Sequence, residues 1–176
     1  MPTVNELQLD LEPRVLAGLA GPDLERGRAL LGRLAVDWLD EARAGGALAS
    51  QVLTILRSDL ERDAGPLSPR DRLVLLEAEV LDRELRVIGN ESFALGKQII
   101  DGQVDDAAAR ARGRDLLSRV EAIAPRVDAL TLESRRVALR RQVDDAMLEA
   151  LYAVERKAMS PRLSRYAQDA SAPQVR

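Results

Sequence analysis

Residues 68–88 read SPRDRLVLLEAEVLDRELRVI and carry the strongest helix signals in this chain of 176 residues. Ser68 suits the N-cap position, Pro69 the first helical position and Asp71 the first turn, where a carboxylate complements the helix dipole. Apolar residues then recur at helical spacing in two adjoining stripes, Leu73, Leu76, Val80, Val87 and Val74, Leu81, Leu85, Ile88. So broad an apolar face indicates a central helix that packs against more than one neighbour.

Helical periodicity extends in both directions from this central helix. It predicts helices over residues 22–43, 47–63, about 105–124 and about 132–159. Gly89-Asn90 is expected to break the central helix, and Pro125 is expected to kink or interrupt the helix before it. No strand alternation is convincing after residue 12. The expected fold class is all-α, an antiparallel helical bundle or irregular helical array of about five main helices.

Both ends of the chain lack clear helical periodicity. Residues 1–12 alternate weakly between apolar and polar side chains, while residues 160–176 are rich in Ser, Pro, Gln and Arg. The sequence therefore predicts a single helical domain over 13–159, with a non-helical N-terminal arm (1–12) and a C-terminal tail or arm (160–176). Arms of this kind order on binding a partner; frayed termini, including a frayed N-terminal helix, are the alternative.

The chain contains no histidine, no cysteine and only four aromatic side chains. The usual general bases near neutral pH, the thiol nucleophiles and the commonest metal ligands are therefore missing. Enzymes that use carboxylates alone, such as glycosidases, usually surround the sugar with aromatic walls, which four scattered residues do not supply. We expect a non-enzymatic protein without cofactor or metal.

Two motifs resemble ligand sites and fail on a second criterion. Residues 89–97, GNESFALGK, place six residues between the glycines and Gln98 after the lysine, whereas a P-loop needs four residues and then Ser or Thr. A connection between helices is the preferred interpretation. The acidic cluster over residues 77–84 lacks the Glu-x-x-His pairs of a di-metal bundle, so a salt-bridged, solvated face is preferred.

The net charge of −3 conceals a gradient along the chain. Residues 1–66 carry −4 and residues 135–176 carry +4, and nearly all basic residues are arginine. Arginines are dense over 110–141, where interspersed acids favour a solvated, internally paired face over a nucleic-acid site. Contact between the basic end of one copy and the acidic end of another is a further interpretation.

These observations lead to an assembly protein as the first hypothesis. The chain would be a helical subunit of a larger, homo-oligomeric complex; a phage head-to-tail adaptor or another virion component is an architectural analogy only. The alternative is a nucleic-acid-associated or regulatory binding module that uses the Arg-rich face 110–141. Synthesis in the cytoplasm and incorporation into a virion or other large assembly are expected.

The expected partners are other protein subunits, namely copies of the chain itself and a larger complex. Nucleic acid is the less favoured partner, and no membrane span is expected because charges interrupt every apolar run. The candidate contact residues are Val4, Leu7, Arg135, Arg136, Arg140, Arg141, Leu163, Tyr166 and Val175.

Overall fold

A computed structural model describes residues 1–155, and all regular structure within them is helical. Six α-helices follow one another, with a short 3-10 helix (Gly46–Leu48) between the second and third. Their bounds are α1 Val4–Val15, α2 Gly21–Ala44, α3 Ala49–Ala64, α4 Pro69–Ile100, α5 Asp106–Asp128 and α6 Glu133–Glu155. The predicted all-α fold class is confirmed.

The first of two compact units comprises residues 1–83 and 130–137. In it α1, α2 and α3 pack against one another, and the early turns of α4 complete the apolar core. Trp38 lies in this core with 1% of its surface exposed, and the Arg83 guanidinium lies over its ring at 5.8 Å from the centroid. The largest aromatic side chain of the sequence therefore fills the centre of this unit.

The second unit begins at Glu84 on α4, includes α5 and resumes at Ala138 on α6. Its buried apolar residues recur every three or four positions on each helix, as Leu116, Val120, Ile123 and Val127 do on α5. At Gly113 the chain of α5 approaches α6 closely, since an added Cβ would lie 3.0 Å from the Ala153 Cβ. Glycine at this position therefore permits close packing of α5 on α6.

The prediction of a non-helical N-terminal arm over residues 1–12 is wrong for residues 4–12, which lie in α1. Thr3 and Glu6 form a capping box that satisfies the first backbone N–H groups of the helix. Leu7, Leu11 and Val15 are buried at spacings of four, whereas Leu9 is 68% exposed. The weak alternation of the sequence obscured a narrow helical stripe, and Pro13 is tolerated near the end of the helix.

The predicted break at Gly89-Asn90 is also wrong, because α4 continues without interruption to Ile100. Ile88, Ser92, Leu95 and Ile99 are all buried, at the 4-3-4 spacing of one helix face. Burial along that face offsets the low helix propensity of glycine. Helix α5 likewise runs through Pro125 to Asp128, so the proline does not end it.

Candidate interaction surface

Arg135 lies between two carboxylates of the first unit. Its guanidinium donates to Asp63 at the end of α3 and lies 3.5 Å from a carboxylate oxygen of Glu79 on α4. Burial raises the pKa of Glu79, and the positive charge of Arg135 opposes that shift. Arg135 was predicted as an intermolecular contact; its charge is instead paired within its own unit.

The other three arginines of the predicted 135–141 face do not form one free basic patch with it. Arg136 pairs with Glu133 one turn earlier on α6. Arg140 lies 3.2 Å from Asp128 and 3.4 Å from Asp144. Arg141 is exposed, with no ion pair to residues 1–155. Most of the charge on this face is therefore neutralised locally.

Three arginines on α5 form a ladder with α4 in the second unit. Arg112 donates to the Gln98 side chain at 2.7 Å, and Arg119 pairs with Glu91, which raises the pKa of Arg119. The third rung joins Arg126 to Glu84 at 3.1 Å. Both sets of residues are spaced by seven, so one antiparallel helix pair accounts for all three rungs. The dense arginines of 110–126 thus serve in part to hold α5 on α4.

The predicted contact residues at the two ends of the chain have different outcomes. Leu7 is 1% exposed in the core of the first unit, and Val4 is partly buried against that core. Leu7 is therefore corrected from a partner contact to a core residue, because α1 turns it inward. Leu163, Tyr166 and Val175 lie outside the described residues and stay predictions.

An exposed face of α4 was not among the predicted sites. Phe93 is 43% exposed and Ile100 is 52% exposed, seven residues apart and so on nearly the same face of the helix. Gly89 and Gly96 lie on this face too, and a Cβ added at either glycine would meet nothing within 4 Å. We call these four residues, Gly89, Phe93, Gly96 and Ile100, the α4 seam.

Polar side chains border the α4 seam on one side. Asn90 and Lys97 are exposed and follow the two glycines directly, and Asp101 comes immediately after the helix. Arg86 lies one turn before Gly89 on the same exposed surface. The surface therefore has an apolar centre with a polar border, the arrangement typical of protein–protein contacts.

The signal for the seam was present in the sequence as the motif GNESFALGK. Its two glycines and its phenylalanine were compared with a phosphate-binding loop, whereas their 4-3-4 spacing with Ile100 is that of a helix face. The assumed break at Gly89-Asn90 prevented that comparison. Recognising one continuous helix would have identified the seam.

Two kinds of site can be assessed over the residues that the structure describes: a metal centre and a membrane-spanning helix. Within residues 1–155 no group of three or more carboxylates is arranged to hold a metal ion. In that part of the chain, no helix combines the length and apolarity needed to cross a membrane.

Comparisons with protein-family models, curated proteins and solved structures found no match to this chain.

Proposed function

We propose that this chain is a non-enzymatic assembly subunit, a helical protein that takes its place in a larger protein complex through exposed helix faces. The observation that carries the proposal is the α4 seam. Phe93 and Ile100 keep 43% and 52% of their surface exposed on one face of a long, well-packed helix. Single exposed apolar residues are ordinary, but two large ones that alternate with open glycines along one helix face favour a contact surface.

The composition supports the non-enzymatic part of the proposal. With no histidine or cysteine in 176 residues, a general base or nucleophile would have to be a strongly shifted carboxylate or lysine. Glu79 has a raised pKa, but it faces Arg135 within the packing of the first unit. Its environment is that of a structural ion pair.

The alternative, a nucleic-acid module on the Arg-rich face 110–141, has less support. Phosphate binding needs several arginines whose charge is available. Six of them are engaged by acceptors of their own chain: Arg112, Arg119, Arg126, Arg135, Arg136 and Arg140.

The test is the mass of the complex that contains the chain in the cells that make it. A tagged full-length chain is purified gently and measured by native mass spectrometry, beside a version that lacks residues 160–176. An assembly subunit is recovered at fixed stoichiometry in a species well above 19.3 kDa. Loss of that species in the shortened version would assign the contact to the predicted C-terminal arm, and its persistence would favour the α4 seam.

Recovery of the chain only as a 19.3 kDa species, at every concentration and salt, would contradict the assembly function. A ring or connector, the architectural analogy drawn from the sequence, additionally requires a closed number of identical copies. The measured stoichiometry decides that point separately.

A further inference from the structure

We propose that the α4 seam is a homodimer interface, in which two copies of the chain pack their α4 helices antiparallel. The two-fold axis passes between the two helices, level with the midpoint between Ala94 and Leu95. This inference rests on the proposed assembly function and names a second copy of the chain as the partner at the seam.

The order of side-chain sizes along the seam selects a second copy. Gly89, Phe93, Gly96 and Ile100 alternate small and large at spacings of four, three and four, which read the same in both directions. Reversal about the midpoint therefore places Phe93 against Gly96 of the partner subunit and Ile100 against Gly89 of the partner subunit. Each large side chain meets a glycine, so the patch is complementary to itself, as a two-fold interface requires.

The packing of the chain itself does not explain the two glycines. A Cβ at Gly89 or Gly96 would meet no neighbour within 4 Å, although glycine is less favourable than alanine in a helix interior. In the antiparallel pair, the missing side chains let the two helices approach and leave room for the Phe93 ring. Close approach of another backbone is a use for which glycine is suited.

The polar side chains along the border of the seam are compatible with the same orientation. Arg86 and Asp101 lie at its opposite ends, with Asn90 and Lys97 between them. The antiparallel pair brings Arg86 towards Asp101 of the partner subunit and Lys97 towards Asn90 of the partner subunit. A parallel, in-register pair would instead set Phe93 against Phe93 of the partner subunit and Gly96 against Gly96 of the partner subunit, which loses the match of large with small.

The first experiment measures self-association of the purified full chain by sedimentation equilibrium from about 1 µM to 1 mM, where a small helix interface dissociates. We expect a reversible species of twice 19.3 kDa. Phe93→Glu should weaken it at least about 30-fold, because a charge replaces a central apolar anchor. Val87→Glu is the matched control: Val87 is 52% exposed on the same helix but outside the seam, so dimerisation should persist.

A second variant tests the size argument without adding charge. At Gly96 of the isolated chain an added Cβ meets nothing within 4 Å, whereas in the dimer the leucine of Gly96→Leu would collide with Phe93 of the partner subunit. We expect helicity by circular dichroism to be retained and dimerisation to fall at least about 30-fold. Adding Phe93→Ala to Gly96→Leu exchanges large and small, and should restore most of the affinity.

Cysteine cross-linking tests the orientation, because the chain has no cysteine of its own. A mixture of Asn90→Cys and Lys97→Cys chains should form a disulfide-linked dimer rapidly. Asn90→Cys alone should cross-link poorly, since its two copies lie about 13 Å apart along the helix axis at 1.5 Å per residue. A parallel pair would place the two borders on opposite sides of the dimer, so the mixture would stay unlinked, which would overturn the proposal.

The proposed dimer and the proposed function fail in different ways. A purified chain that stays monomeric up to 1 mM, or equal losses from Val87→Glu and Phe93→Glu, would overturn the homodimer at the seam. If the complex from cells persists in that case, the assembly function stands with another partner. If that complex is absent as well, both proposals fall.

Discussion

Glu79 keeps 23% of its side chain exposed and shares Arg135 with Asp63. Burial and four neighbouring charges act on its carboxylate, and the three largest of these effects set the direction of its pKa shift. Burial raises its pKa most strongly, the Arg135 charge lowers it, and the nearby Asp82 charge raises it again. The folded pKa therefore lies above the ordinary value of 4.5, so folding favours the protonated form of Glu79.

The pH dependence of stability follows from that direction. A group with a raised folded pKa contributes stability that is present below its unfolded pKa and lost as the pH rises through the folded pKa. We expect the unfolding free energy of the wild type to fall relative to that of Glu79→Gln as the pH rises from about 4.5 through the raised folded pKa. Urea unfolding of both proteins across this range measures the difference.

The difference in unfolding free energy between the wild type and Glu79→Gln should neither stay constant nor grow in favour of the wild type as the pH rises. Either result would contradict burial as the dominant influence on the pKa of Glu79. Removing the cation provides the control. Arg135→Gln removes the largest of the charges that lower the pKa of Glu79, so the fall relative to the matching double variant with Glu79→Gln should extend to higher pH.

Among the helices, sequence periodicity predicted those with a wide apolar stripe and missed the boundaries where local and tertiary effects compete. The helix over 69–88 was clear because capping residues and apolar stripes agree. Helix α1 was missed because its buried stripe, Leu7, Leu11 and Val15, is one residue wide per turn. The extension of α4 past Gly89 depends on burial of Leu95 and Ile99 against other helices, which local propensity does not contain.

The candidate site was predictable only in part, for the same reason. The Arg-rich segments were found by composition, but their partners are distant in sequence: Arg135 pairs with Asp63, 72 positions away, and Arg126 with Glu84, 42 positions away. Whether an arginine is available or paired depends on which helices pack together. The sequence shows which residues are charged, whereas the fold determines which of those charges are neutralised by a partner.

The close contact between α5 and α6 makes Gly113 sensitive to the smallest enlargement. An added Cβ would lie 3.0 Å from the backbone nitrogen of Val154 as well as from the Ala153 Cβ. We expect Gly113→Ala to lower the unfolding free energy by about 1–3 kcal/mol, because overpacking exceeds the gain in helix propensity. Ser118→Ala, exposed on the same helix, should change it by less than about 0.5 kcal/mol.

Thermal and urea unfolding of the two variants, with helicity followed by circular dichroism, provide the measurement. A Gly113→Ala protein that is as stable as the wild type would show that α5 and α6 are separated more widely than the structure has them. The Ser118 control guards against attributing a general effect of alanine to this contact.

Across the chain as a whole, the gradient from −4 to +4 in sequence does not become an equal gradient of available charge. Ion pairs, one to a distant residue and two to nearer ones, engage three of the four arginines between 135 and 141. The net charge of −3 adds a weak overall repulsion from polyanions. Neither the paired arginines nor the net negative charge favours tight, sequence-independent binding of nucleic-acid phosphates.

We therefore expect the full chain to bind double-stranded DNA no more tightly than about 100 µM at 50 mM salt, the weak end of non-specific binding. Fluorescence anisotropy with a labelled duplex measures this, with Arg110→Glu and Arg114→Glu as the matched charge reversals. Tighter binding whose logarithm falls linearly with the logarithm of the salt concentration, and which these reversals weaken, would instead support the nucleic-acid alternative.

Lysine is nearly absent from the sequence, at positions 97 and 157 only, and Lys97 is exposed at the border of the α4 seam. Amine-directed reagents therefore have very few targets: these two side chains and the α-amino group. A fluorophore or biotin attached by such chemistry is therefore placed in large part beside the seam. Coupling to an amine-reactive chip orients the seam towards the matrix. Immobilisation through an engineered tag leaves the seam accessible. The acylation rate of Lys97 then measures whether a partner covers the seam.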